Sequence, residues 1–215
     1  MKCYMCNRDS ISREHVPPDC FFSTGHRLNL ITVPSCPEHN FKKSKDDEYI
    51  HSIIAPVLGN NSLGEGIALT KVNRSFQHST GLVAAVFKDA KVIKLPDGVE
   101  TVSVQVNLDR WDHFFEHFSN AIYYHDFKTS CDRQWHIWSP SLRLDETLLK
   151  GQPDPYSKVS KILLSMNFVE QKVSNPEIFR YFFFTQKSES FAYKFLFYEA
   201  FVVCALSTSV GRAFA

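Results

Sequence analysis

Cys3 and Cys6 are separated by two residues, and so are Cys36 and His39. That spacing lets two side chains of one tight turn converge on a single ion. Three thiolates and an imidazole suit tetrahedral Zn²⁺. Between the two pairs lie Glu14 and His15, followed by Val16-Pro17-Pro18, and Asn40 comes directly after the second pair. A purely structural zinc module has no need of a carboxylate and an imidazole at its centre. An imidazole that titrates near neutrality is suited to moving protons.

Something must hold these residues in place. Residues 1 to about 43 are rich in Cys, His, Pro and turn-forming types and carry too little apolar material to fold unaided, so the segment needs its metal. Ser44-Lys45-Asp46-Asp47-Glu48 has the composition of a capped, acid-rich first helical turn. It leads into Tyr49, Ile50, Ile53, Ile54 and Val57 at helical spacing, stopped by Gly59-Asn60-Asn61. Further helices are predicted over 63–74 and 80–88, with Ser75, Gln77, His78 and Ser79 as the turn between them. Residues 91–95 and 101–106 flank Pro96-Asp97-Gly98 and predict a hairpin. A helix begins near Asp109, capped by Asp109 or Asn107, with Trp111, Phe114, Phe115, Phe118, Ala121 and Ile122 on one face.

Residues 126–158, including Gly151-Gln152-Pro153-Asp154-Pro155, read as mostly loop with short strands near Trp135 to Trp138. Two aromatic runs, 179–185 and 191–206, read as antiparallel strands of a buried or half-buried sheet. The chain holds 19 Phe, 8 Tyr and 3 Trp, crowded into its second half, which calls for a bulky core or interface there. The expected architecture is α+β: an N-terminal zinc-stabilised module over 1–60 and an α+β accessory region over 61–215 that serves targeting, oligomerisation or partner binding.

At these residues the chain resembles the HNH endonuclease family, whose ββα-metal motif sets an acidic-His dipeptide on a strand and an Asn or His at the start of a helix. The resemblance runs from Cys3-x-x-Cys6 through Glu14-His15 to Cys36-x-x-His39-Asn40 and Lys42-Lys43-Ser44, about the first quarter of the chain. It implies a hydrolase that cleaves phosphodiester bonds, with His15 as general base and with Glu14 and Asn40 holding Mg²⁺ or Mn²⁺ on the scissile phosphate. Zinc at Cys3, Cys6, Cys36 and His39 would be structural. His39 stands where many members have Cys, so Cys20 is the alternative to it as fourth ligand, and Asn29 is the nearest candidate for the family's middle Asn. Nucleic acid, double-stranded DNA before RNA, is the implied partner, met by Lys42, Lys43 and Lys45 at the helix start, where cations oppose the dipole. Lys71 with Arg74 forms a second basic patch.

The competing expectation is a non-catalytic zinc module that binds nucleic acid or protein. A third is a nuclease kept silent until a partner engages the C-terminal half, as a bacterial defence system requires. A second copy or another protein would dock on that half. Net charge is only +1, so any nucleic-acid contact must come from local patches. Without an apolar leader after Met1, the expected location is the cytoplasm, where six cysteines read as ligands and buried thiols (Cys131 and Cys204 among the latter) rather than disulfides. No apolar run is long enough to suggest a membrane span. His113 and His117, four apart with Glu116 between, fit a buried helix face better than a metal site. Tyr123, Tyr124, His125, Trp135 and Trp138 fit core packing better than base stacking.

Overall fold

The computed structural model describes residues 1–41, 44–95, 97–142, 163, 165–186 and 190–208. Lys42 and Lys43, and the Gly151 to Pro155 segment, lie outside the described residues.

Strand β1 (Ser12–His15) pairs antiparallel with β2 (Thr32–Ser35), with Ser12 opposite Ser35 and His15 opposite Thr32. Helix α1 (Pro37–Phe41) follows β2 after one residue, and α2 (Ser44–Ile54) comes next. The order is therefore strand, strand, helix. α2 buries Tyr49, Ile50, Ile53 and Ile54, the apolar positions at helical spacing in the sequence.

The predicted second helix extends further than expected. α3 (Ser62–Ile67) is capped by Asn61, whose side chain accepts from the Gly64 amide, and runs through a π-helical segment (Ala68–Val72) into α4 (Asn73–His78). Ser75, Gln77 and His78 are therefore helical, and the break falls at Ser79 alone. There the backbone is extended and the Ser79 hydroxyl accepts from the Leu82 amide, capping α5 (Thr80–Phe87). The hairpin of β3 (Lys91–Lys94) and β4 (Glu100–Ser103) is present, with Val92 opposite Val102. Val104 to Val106 lie beyond its ladder, because the partner strand supplies only four positions.

Helix α6 (Leu108–Phe127) is capped by Asn107, which accepts from the Arg110 amide. It lies on a five-stranded antiparallel sheet in the order β5, β9, β8, β7, β6. The strands are β5 (Gln134–Trp138), β6 (Val169–Glu170), β7 (Phe179–Gln186), β8 (Ser190–Phe197) and β9 (Phe201–Thr208). The second aromatic run is thus two strands, which corrects the expectation of one. A strand over its full length would span about 50 Å at ~3.3 Å per residue, too long for a domain of this size. The chain folds back at Tyr198 and Glu199, with φ of 48° and 63°, and the Ala200 amide closes on the Phe197 carbonyl at 3.1 Å. Left-handed non-glycine residues cost about 1–2 kcal/mol each, and docking holds them here. The Tyr198 hydroxyl donates to the Phe21 carbonyl at 2.9 Å, and the Asn61 amide donates to the Tyr198 carbonyl at 3.0 Å.

Alternate residues of β7 and β8 face α6. Phe115 and Phe118 meet Phe179, Phe195 and Phe197 at ring separations of 4.8–6.4 Å. Phe21 joins this cluster from the N-terminal segment, 5.3 Å from Phe197 and 6.4 Å from Phe114. One hydrophobic core therefore takes in Cys3, Tyr4 and Val33 from the first part of the chain and Tyr193 to Ala205 from the last. Trp135 is buried and donates to Asn120 at 2.7 Å, and Tyr123 packs on Phe127 and Phe191, the core roles expected of these aromatics. Among the described residues no helix is long and apolar enough to cross a membrane.

Candidate metal centre and flanking cleft

The Cys/His set is built by three local structures. A tight turn returns the Cys3 amide to the Arg8 carbonyl, 2.9 Å, which folds Cys3 and Cys6 together, and the Tyr4 amide donates to Pro34 of β2, 2.9 Å, which lays this turn on the ribbon. The end of β2 delivers Cys36. The first turn of α1 then brings His39 back over it, with the His39 amide on the Cys36 carbonyl at 3.2 Å.

The result is a convergent cluster whose four ligand atoms lie within 4.8 Å of one another. His39 Nδ1 is 3.5 Å from Cys3 Sγ, 3.6 Å from Cys6 Sγ and 3.3 Å from Cys36 Sγ, and Cys6 Sγ is 3.9 Å from Cys36 Sγ. A tetrahedron drawn with zinc bond lengths has edges of about 3.6 Å from sulfur to nitrogen and about 3.8 Å from sulfur to sulfur. The donor set and its spacing fit zinc, and the thiols form no disulfide. Burial pushes the Cys3 thiol up against the lowering effect of amides including those of Met5 and Cys6. At Cys36 burial also acts upward, but the amides of His39 and Glu38 and the neighbouring thiols bring it below its ordinary value. Burial lowers the His39 imidazole, favouring the neutral form that binds metal.

Cys20 is elsewhere. Its thiol points at the Asp47 carbonyl, 3.8 Å away, and burial beside Asp47 raises it to about 12. The fourth position of the cluster is filled by His39. Helix α6 supports the site from behind: Asn120 donates to Met5 Sδ at 3.1 Å, and the His117 ring lies 5.6 Å from His39 and 4.4 Å from His113. His113 and His117 are thus neighbours of the cluster. Among the described residues, no metal-binding group of three or more forms besides the Cys/His set.

Around Glu14 and His15 the pleat of β1 matters, since consecutive side chains leave a strand on opposite faces. Glu14 turns inward, 4 % exposed, and accepts from the Tyr4 hydroxyl at 3.4 Å. Asn40 lies toward this same face and donates to Ser12 Oγ at 2.8 Å. His15 leaves on the other side, with its Nδ1 2.9 Å from Asp19 Oδ1 and its side chain 40 % exposed. Asp19 was not legible as a site residue. Its only sequence signal is a position four after His15, across Pro17 and Pro18. Asn29 is exposed in a left-handed turn, φ 55°, with its carbonyl accepting from Ser174, and orients neither Glu14 nor His15.

Beside Asp19 opens a cleft of about 550 Å³. Lys45, Lys71 and Arg74, read as separate patches in the sequence, line it together with Arg27. Lys71 is committed to structure: its Nζ bonds the carbonyls of Asp19 and Cys20, 3.5 Å each, and that of Phe22. The other three carry their charge at or near the surface.

Family models, curated proteins and solved structures were compared with this chain, and none matches it.

Proposed function

We propose that the protein is a zinc-stabilised, metal-dependent endonuclease of HNH type that hydrolyses phosphodiester bonds in nucleic acid, DNA before RNA. The observation that carries the reading is the His15–Asp19 pair beside a cleft whose lining includes Arg27, Lys45, Lys71 and Arg74 together with Asp19, Asp47 and Glu48. His15 Nδ1 lies 2.9 Å from the Asp19 carboxylate, a neighbour of the kind that can orient the imidazole of a general base. Arg27, Lys45 and Arg74 supply the charge that would draw a phosphate backbone to it. The order of β1, β2 and α1, with Glu14-His15 on the first strand and Asn40 on the helix, supports the family resemblance.

Glu14 and Asn40 offer oxygen donors of the kind that suits Mg²⁺ or Mn²⁺, ions that neutralise a scissile phosphate. Glu14, however, is 4 % exposed, accepts from the Tyr4 hydroxyl and leaves β1 on the face opposite His15. The two therefore do not place an ion on the bond that His15 would address. What the chain itself contributes is binding of the strand in the cleft and removal of a proton from water at His15 Nε2. Zinc holds the frame that positions both.

A second reading rests on one observation, the burial of Glu14 beneath the Tyr4 hydroxyl, an environment that also suits a structural carboxylate. On that reading the protein is a zinc-dependent binding module without catalysis. Cleavage assays on double-stranded DNA, single-stranded DNA and RNA with Mg²⁺ or Mn²⁺ separate the two: the nuclease reading requires products, and binding without products leaves the module.

A further inference from the structure

The cleft beside Asp19 is too mixed in charge for a bare phosphate site. Its cations are matched by Asp47 and Glu48 from the first turn of α2, and its volume of about 550 Å³ lies in the range of small-ligand pockets. His51, one turn further along α2, also lines it. His51 is 2 % exposed, and its Nε2 is buried with no hydrogen-bond partner among the described residues. A buried polar atom of this kind costs about 1–3 kcal/mol unless something completes it. Burial lowers this imidazole to about 3, so it is neutral and able to donate or accept a hydrogen bond to an uncharged group. Pro18 and Cys20 add apolar wall.

Cations at the rim, carboxylates along one side and a dry imidazole at the floor match a ligand with a phosphate at one end and a polar ring at the other. We propose that this cleft is a nucleotide subsite. It takes one nucleotide of the strand next to the bond addressed by His15, its phosphate on Arg27, Lys45 and Arg74, and its base lodged against Pro18 and Cys20 over His51. Carboxylates accept from exocyclic amino groups, which adenine, cytosine and guanine carry and thymine lacks. Glu48 therefore selects against thymine at this position. The inference rests on the nuclease reading for its placement beside the scissile bond, and adds residues outside the Cys/His segment.

The test is binding of short labelled DNA strands of single composition to zinc-loaded protein, followed by fluorescence anisotropy without added Mg²⁺ or Mn²⁺. The parent protein binds cytosine and adenine strands more tightly than thymine strands. Arg74→Ala, at an exposed position, weakens all of them about tenfold and flattens the dependence of log K on log salt by about 0.7. Glu48→Gln removes the bias against thymine, since an amide can donate to the thymine carbonyl. Parent-like affinity and base preference in both variants overturns the subsite, even if the protein cleaves DNA. The binding changes in a protein that cleaves nothing would uphold the subsite and remove the nuclease reading instead.

Discussion

Asp19 Oδ1 lies 2.9 Å from His15 Nδ1, across a turn made by Val16, Pro17 and Pro18. The pair couples the end of β1 to the wall of the cleft, so a change at Asp19 reaches the proposed base without touching zinc. Asp19→Asn keeps the shape and loses the charge beside the imidazole. Cleavage should fall about 10–100-fold, part of the 10²–10⁴ that a positioned base supplies. Zinc content and melting temperature should stay at the parent values, and kcat, more than KM, should carry the loss.

Zinc removal acts on the fold. Apparent binding energies of structural zinc in small peptides are about 10–16 kcal/mol, more than residues 1–41 can replace from Cys3, Tyr4, Val16 and Val33. Cys3→Ser or His39→Ala should therefore release the ion, measured by elemental analysis, and lower the melting temperature. Cys20→Ser should retain full zinc, because its thiol faces the Asp47 carbonyl.

The close approach of α3 to the β8–β9 turn leaves no room for a side chain at Gly64. A Cβ there would stand 2.9 Å from Tyr198 Cβ and Cγ and 3.0 Å from Asn60 Cβ. Gly64→Ala should destabilise the protein by about 1–3 kcal/mol despite the better helix propensity of alanine. Gly66→Ala, with nothing within 4 Å, serves as control and should be neutral or stabilising. Denaturant titration of the two variants makes the comparison.

His51 gives a pH dependence of defined sign. Its folded value is lowered from 6.5 to about 3 by burial, with Lys71 adding to the effect. Below pH 6.5 the unfolded chain takes up the proton first, so this contribution to stability is intact above 6.5 and falls by up to about 1.4 kcal/mol per pH unit toward 3. His51→Phe, which retains a ring beside Phe21, should show a shallower loss of stability between pH 6.5 and 5 than the parent. Equal slopes would contradict the assignment.

The Cys/His cluster was legible because each pair is local: Cys3 with Cys6, and Cys36 with His39, meet within one turn whatever the rest of the chain does. The same holds for α2 and for the apolar face of α6, where periodicity is strong. The fold-back at Tyr198 and Glu199 carried no signal, since neither residue is a turn former and their left-handed backbone is stabilised by Phe21 and Asn61, far away in sequence. Asp19, Arg27 and His51 were hidden for a related reason. Their relation to His15 and to one another is created by the packing of the 16–31 excursion on α2 and α4, and no spacing encodes it. The opposite faces taken by Glu14 and His15 follow from β1 extending through both residues, a strand boundary that composition does not set.

On the proposed mechanism His15 removes a proton during phosphodiester hydrolysis. The most direct measurement is cleavage of plasmid and oligonucleotide DNA by zinc-loaded parent and His15→Ala proteins side by side, with Mg²⁺ or Mn²⁺ present. Products are expected from the parent and a loss of at least about 10²-fold in the variant, with zinc content and melting temperature unchanged. Cleavage by His15→Ala at the parent rate, or no cleavage by the parent on any nucleic acid, would contradict it.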